Sequence, residues 1–332
     1  MHEAEFWETE GDKIRCLLCP HRCLIAPGKS GICRVRTNRD GHLIADSYSE
    51  VISVSLDPIE KKPLFHFYPG SGVLSIGPRG CNFSCRYCQN WQVSQNSGGT
   101  LNISPERLVE EASAESAVGI AYTYTEPIVA FEFVRDTAKL ARSRGLKNIL
   151  VTNGYILEEP LNRLIEVTDA MNIDLKSMDQ DFYRKICGGS LDPVLNTIRT
   201  VANSTVHLEL TNLIITCYND SEKQVGRLVD FVASVDPDIP VHFSGYHPAY
   251  RFNAPPTPLE ILLRAKAIAD RSLKYVYIGN RQTETGRDTF CPKCGNMLVS
   301  RAGYSGSIVG ITPLGVCSQC GSNVDIEGPW NT

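Results

Sequence analysis

Eleven of the chain's 13 cysteines fall into three tight groups whose spacings are those of metal ligands. In the middle of the chain, Cys81, Cys85 and Cys88 stand as C-x3-C-x2-C within Gly77-Pro78-Arg79-Gly80-Cys81-Asn82-Phe83-Ser84-Cys85-Arg86-Tyr87-Cys88. Three thiolates on one short loop can wrap three corners of an iron–sulfur cube, whereas a ferredoxin-type site needs a fourth cysteine. No fourth cysteine follows nearby. A corner without a protein ligand is an open coordination position, the feature that separates a reactive metal site from a structural one. Zinc on the same three sulfurs plus a distant ligand is the alternative. The glycines before Cys81 let the backbone turn tightly and approach the sulfurs.

Near the C-terminus, Cys291-Pro292-Lys293-Cys294-Gly295 and Cys317-Ser318-Gln319-Cys320-Gly321 form two knuckles separated by 22 residues. Four thiolates so arranged make a closed tetrahedral site, and Gly after each pair allows a positive-φ turn. Structural zinc is expected there in preference to rubredoxin-like iron. At the N-terminus, Cys16, Cys19, Cys23 and Cys33 can bind zinc or an auxiliary cluster, or use His21 in place of one thiol. Cys187 and Cys217 stand apart and are expected as small buried residues. The chain's start is acidic rather than basic and then apolar, so no export signal is expected. Thiols should then stay reduced in a cytoplasmic protein, which favours metal over disulfides.

Composition supports a soluble enzyme-sized chain. Its 332 residues are 42% hydrophobic and 21% charged, and 33 Lys and Arg against 37 Asp and Glu leave a net charge of −4. No apolar run reaches the roughly 18 residues of a membrane span. The charge gives no global basic footprint, which disfavours a nucleic-acid partner.

From Val73 onward, short apolar runs alternate with amphipathic stretches, the signature of βα units. Strands are expected over 73–76, 120–124, 148–152, 170–175, 207–215, 240–244 and 275–278, and helices over 128–144, 159–168, 192–202 and 221–234. Further helices should start at Ser104-Pro105 and at Thr257-Pro258, each a capping hydroxyl before a proline. Units of about 25–35 residues, with no G-x-G-x-x-G after the first strand, favour a partial (β/α)6-type barrel over a dinucleotide-binding sheet. The chain therefore divides into a Cys-rich module at 1–50, a barrel at 51–280 and a zinc-ribbon-like module at 281–332.

In such a barrel, functional side chains gather at the C-terminal ends of the strands. With Tyr87 before its last cysteine, the central loop resembles the signature loop of the radical S-adenosylmethionine (SAM) superfamily. That resemblance implies a [4Fe-4S] cluster whose open iron is chelated by SAM. The reduced cluster then cleaves SAM to methionine and a 5′-deoxyadenosyl radical that abstracts hydrogen from a substrate. It further implies that Glu126-Pro127 is the end of a Gly-Gly-Glu-Pro motif holding the SAM ammonium, with Tyr124 and Thr125 in place of the glycines. The plainer alternative is a Glu in the first turn of a helix.

Thr152-Asn153-Gly154, Asp174-Leu175-Lys176 and His247 resemble SAM-contacting elements of glycyl-radical-enzyme activases, although a turn and a salt bridge would also explain the first two. Thr211-Asn212 stand where activases often carry an Arg. Together with Cys16 to Cys23, His66-Phe67-Tyr68-Pro69-Gly70 and Cys88-Gln89-Asn90-Trp91, the chain resembles the radical SAM enzyme of the AmmeMemoRadiSam system, related to pyruvate formate-lyase activating enzymes. The resemblance implies a flavodoxin or ferredoxin electron donor and Memo-like and AMMECR-like companions. The expected activity is hydrogen abstraction from a macromolecule, such as a protein glycine. RNA modification and a non-catalytic metal or electron-transfer adaptor are the alternatives.

Overall fold

Apolar runs too short for helices and buried on both faces can only sit in a sheet covered by helices. The computed structural model describes residues 1–331 apart from 96–98, 282 and 284, so Thr332, the end of the expected tail module, lies outside the described residues. Its central sheet contains β1 (Glu50–Pro58), β2 (Gly72–Pro78), β3 (Gly119–Tyr122), β4 (Lys147–Thr152), β5 (Ala170–Asp174), β6 (His207–Ile214), β7 (Val241–Gly245) and β8 (Val276–Gly279). β2 to β8 run parallel and in sequence order, as consecutive βα units must when each crossover returns to the neighbouring position. The parallel set therefore has one strand more than a (β/α)6 barrel. β1 is also unforeseen, because only two of its nine residues are buried and polar residues break the apolar run; it pairs antiparallel with β2, Leu56 opposite Leu74.

The longer helices are α1 (Pro105–Ala114), α2 (Phe131–Ser143), α3 (Glu158–Ile165), α4 (Leu191–Ala202), α5 (Glu222–Val235) and α6 (Leu259–Ala269). Ser104 and Ser221 cap α1 and α5 by accepting from the N–H groups of Arg107 and Gln224, each at 3.3 Å. Thr257 does not cap α6. Its hydroxyl accepts from Tyr246 N at 3.0 Å and donates to the Ile214 carbonyl, tying the ends of β6 and β7 together, and Pro258 takes the cap position.

Residues 1–50 are built from short antiparallel strands. Trp7–Glu10, Lys13–Cys16 and Leu24–Ile25 form an antiparallel sheet, and Arg36–Arg39 pairs with His42–Ala45. At the other end, Thr289–Phe290, Met297–Ala302 and Ser305–Ile308 form a third antiparallel sheet. This module bridges β8 and the segment that follows β1. Thr289 meets the Tyr277 hydroxyl at 2.8 Å, Arg301 donates to the Phe65 carbonyl at 2.5 Å, and Gly306 approaches Gly70 so closely that a Cβ on Gly70 would lie 2.5 Å from its oxygen.

His66 fastens the chain's end to this seam. It is fully buried; its Nδ1–H donates to the Asp325 carbonyl at 2.6 Å and its Nε2 accepts from Tyr277 at 2.6 Å, while Glu327 N donates to the His66 carbonyl at 2.8 Å. Burial pushes its pKa down to about 4, so the folded protein holds it neutral. A histidine depressed from about 6.5 contributes fully above the unfolded pKa and loses that contribution as pH falls toward 4, a cost of roughly 3 kcal/mol. Urea midpoints measured at pH 7 and pH 4.5 should therefore differ more in the wild type than in His66→Gln. An equal difference in both would remove His66 from the pH response.

Candidate active site

At the C-terminal end of β2, Gly80 takes φ +100°, and a Cβ there would lie 2.8 Å from Val35 Cγ1 and 3.0 Å from the Cys33 carbonyl. The glycine thus lets the chain turn against the N-terminal module before delivering Cys81, Cys85 and Cys88. All three line one cavity of about 410 Å³ that opens over the strand ends. Hydrogen-bond donors approach their sulfurs: Phe83 N lies 3.4 Å from Cys81 Sγ and the Ser94 hydroxyl 3.4 Å from Cys88 Sγ. Burial raises the Cys81 and Cys88 thiols above their usual range, and at Cys85 the hydrogen bond with Cys187 does so first, with burial adding to it. Buried sulfurs with oriented donors are suited to holding soft metal, which deprotonates its thiol ligands.

Glu126 lines the same cavity and is only 1% exposed. Three donors orient it from behind: Thr152 Oγ1 at 2.6 Å, Asn153 N at 2.8 Å and Ile128 N at 3.1 Å. Burial pushes its pKa up to about 7, opposed by those bonds and by Lys176. Among the described residues no basic group forms an ion pair with it. Glu126 caps the helical turn that leads into α2 through Ile128 N, and it also accepts from two residues at the end of β4. Thr152-Asn153-Gly154 is likewise more than a turn, since it supplies two of the donors.

The remaining strand-end residues divide. Asn153 donates to Asn82 Oδ1 at 2.8 Å and lines the cavity. Asp174 and Lys176 also line it, joined at 2.9 Å; burial works against the Lys176 charge, but Asp174, Cys85 and Cys187 hold its pKa well above the usual value. Tyr87 is buried in the wall with its hydroxyl 3.6 Å from Cys187 Sγ. His247, in contrast, is exposed in the loop after β7 and is not among the lining residues. Cys187 is buried as expected, whereas Cys217 is exposed.

Tyr124, where the related motif carries a glycine, adopts φ +65°. A left-handed tyrosine costs about 1–2 kcal/mol. Its hydroxyl donates to Asp57 and its ring lies 4.4 Å from Lys62 Nζ, so side-chain anchoring offsets the strain. Asp57 also accepts from Lys61 and Lys62, each at 2.7 Å, and burial pulls the Lys62 pKa down to about 8. This cation at the cavity was missed from sequence, although Asp57 to Lys62 is a dense charge cluster in an otherwise apolar stretch. Arg287 and Tyr304 reach the cavity from the C-terminal module, and no local motif announces them.

The terminal knuckles close as expected. Cys291 Sγ lies 3.7 Å from Cys320 Sγ and Cys294 Sγ 3.6 Å from Cys317 Sγ, and all four ligand atoms fall within 4.8 Å of one another. Gly295 and Gly321 take φ +72° and +68°, each donating to the first cysteine's carbonyl at 2.9 Å. A hydrogen bond from Ser322 brings the Cys291 thiol down to about 6. Such a set fits one tetrahedral ion, so Cys317→Ala should release bound metal and expose the tail to limited proteolysis while sparing the iron of the central loop. Unchanged metal content would contradict the assignment.

Comparison with known proteins agrees with this geometry. Residues 75–232 match the model of the Radical SAM superfamily. The chain is 43% identical to "Uncharacterized protein MJ0808" of Methanocaldococcus jannaschii over 98% of its own length and 99% of the relative's. It is 26% identical to the pyruvate formate-lyase 1-activating enzyme of Escherichia coli K12, over 51% of this chain and 72% of that one. In fold it is similar to a radical SAM methyltransferase from Sphaerobacter thermophilus, with TM-score 0.52 and 15% identity over 70% of this chain and 71% of that one. It is also similar to Streptococcus suis SuiB bound to S-adenosylmethionine, with TM-score 0.50 and 14% identity over 66% and 50%. Sequence and architecture converge: residues 75–232 form a radical SAM domain with homology to the pyruvate formate-lyase activating enzymes.

Proposed function

We propose that this protein is an activase-like radical SAM enzyme that abstracts hydrogen from a macromolecular substrate, such as a protein glycine. The observation that carries this reading is the cavity in which Cys81, Cys85 and Cys88 face Glu126, a buried carboxylate with no paired cation among the described residues. Three sulfurs, with no fourth cysteine in the loop, fit a [4Fe-4S] cluster with one open corner. The chemistry that cluster supplies is one-electron reduction of SAM, releasing methionine and a 5′-deoxyadenosyl radical able to take hydrogen from a substrate.

The chain's own residues position and shield. Glu126, held from behind by Thr152, Asn153 and Ile128, receives the SAM ammonium, and the bound cation offsets the carboxylate's burial. Tyr124 and Thr125 present their backbone in the place of the motif's glycines, with Tyr124 already in the left-handed conformation. Asp174 and Lys176 provide an acceptor and a donor for the polar parts of SAM, while Asn153 braces Asn82 of the cysteine loop. Arg287 and Tyr304 narrow the cavity from the tail module and contribute to substrate selection. Zinc in the terminal knuckles holds that module in place.

An electron must enter from outside. A groove on the outer side of the loop is lined by Arg34, Arg86, Arg184, Lys185 and Arg251, of which Arg184 and Lys185 pair with Asp181. This basic surface favours an acidic one-electron carrier of the flavodoxin or ferredoxin type. The Memo-like and AMMECR-like proteins are candidate companions, and a glycine-bearing partner is the substrate class supported by activase homology.

The anaerobically reconstituted and reduced protein should convert SAM to 5′-deoxyadenosine and methionine, and Cys85→Ala should fall to background. Zinc instead of iron on the central loop, with no cleavage, would sink the enzymatic reading. Glu126→Gln should keep its iron but bind SAM roughly 10- to 100-fold more weakly, as loss of a charged hydrogen bond predicts. Arg251→Glu should slow cleavage driven by flavodoxin, with dithionite-driven cleavage unchanged. Equal slowing with both reductants would remove the groove from electron delivery.

A further inference from the structure

The N-terminal cysteines remain outside the active site. Cys16, Cys19, Cys23 and Cys33 line one small cavity, three of them buried and Cys23 half-buried. Backbone donors serve the sulfurs: Ile32 N lies 3.4 Å from Cys23 Sγ, and the backbones of His21 and Val35 hydrogen-bond Cys19 and Cys33. The donors to Cys19 and Cys33 come from two residues ahead, the same step that joins Phe83 N to Cys81. His21 directs its Nε2 to the Asn82 carbonyl at 2.8 Å, leaving four sulfurs as a complete donor set.

A second feature points to an anionic occupant. Arg36 is 1% exposed and lines the same cavity. Its terminal nitrogens bond Glu132, at 3.0 Å to each oxygen, and the Glu5 carbonyl, but its buried Nε has no partner. A fixed cation with an unused donor beside four thiols is matched by thiolates, which need metal to stay deprotonated when buried.

Spacing decides the kind of metal. Zn–S bonds of about 2.3 Å place tetrahedral sulfurs roughly 3.8 Å apart. The terminal four approach that spacing, with all ligand atoms within 4.8 Å; among the described residues, no three of the N-terminal sulfurs do, and neither do the three of the central loop. We propose that Cys16, Cys19, Cys23 and Cys33 hold a second iron–sulfur cluster, ligated at all four corners by protein and packed behind the radical loop. The packing is direct, because Val35 and the Cys33 carbonyl abut Gly80, His21 holds Asn82, and Leu157 N donates to the Leu18 carbonyl at 3.1 Å.

Iron, sulfide and zinc counted on the anaerobically reconstituted full chain test this directly. The wild type should carry about two to four irons beyond the four of the central loop. Cys23→Ala, at the half-buried position, should lose only that excess, and Cys85→Ala should lose only the central four. EPR of the reduced Cys85→Ala protein should show a remaining cluster signal that SAM leaves unchanged, because no corner is open. A wild type holding about four irons, or a Cys23→Ala protein that loses zinc or loses nothing, would overturn the proposal without touching the account of the central loop. The wild-type count stands even if the variant fails to fold.

Discussion

Burial of Glu126, with no paired cation among the described residues, is the constraint around which the cavity at the strand ends is built. A carboxylate removed from water is costly unless donors surround it and a positive charge completes it. Here the donors are supplied by two segments, Thr152 and Asn153 at the end of β4 and Ile128 at the start of the turn into α2, while the Glu126 backbone N–H donates to the Gly80 carbonyl at 3.3 Å. The same bonds therefore fix the ends of β3 and β4 relative to the cysteine loop. Moving any of these elements would expose the carboxylate's partners or leave it unsatisfied.

Both terminal modules act on this centre through packing. The N-terminal module fills the space behind Gly80 and Asn82 and is locked to the barrel by the buried Arg36–Glu132 pair. Breaking such a pair by removing one partner typically costs about 3–5 kcal/mol because the other charge is left uncompensated. The C-terminal module crosses from β8 to the segment after β1, and through Arg287 and Tyr304 it becomes part of the cavity wall. A barrel with an open seam thus gains a wall from the C-terminal module and backing from the N-terminal one.

Much of this was legible from the chain because period and spacing encode it locally. Seven buried parallel strands produce apolar runs whatever their neighbours, and the strands over 73–76 and 148–152 lie within β2 and β4. The cysteine groups and the glycines at 295 and 321 likewise report local geometry. Partly buried β1 carries no continuous apolar signal, and Thr257 has the pattern of a cap but is drawn off by the Ile214 carbonyl. His247 matches a motif by position in sequence, yet the loop after β7 carries it into solvent. The His66 contacts span 211 and 259 residues, a separation no local pattern records. Tyr124 shows a further limit: a motif glycine can be replaced when distant residues, Asp57 and Lys62, anchor the side chain that holds the unusual backbone.

The central claim is that the Cys81 loop holds a cluster whose open corner faces the Glu126 side of the cavity. EPR spectra of the reduced protein recorded before and after SAM addition test it most directly. The account predicts a [4Fe-4S] signal whose g-values move on adding SAM in the wild type and that disappears in Cys88→Ala. A signal that SAM leaves untouched, or one surviving intact in Cys88→Ala, would contradict it.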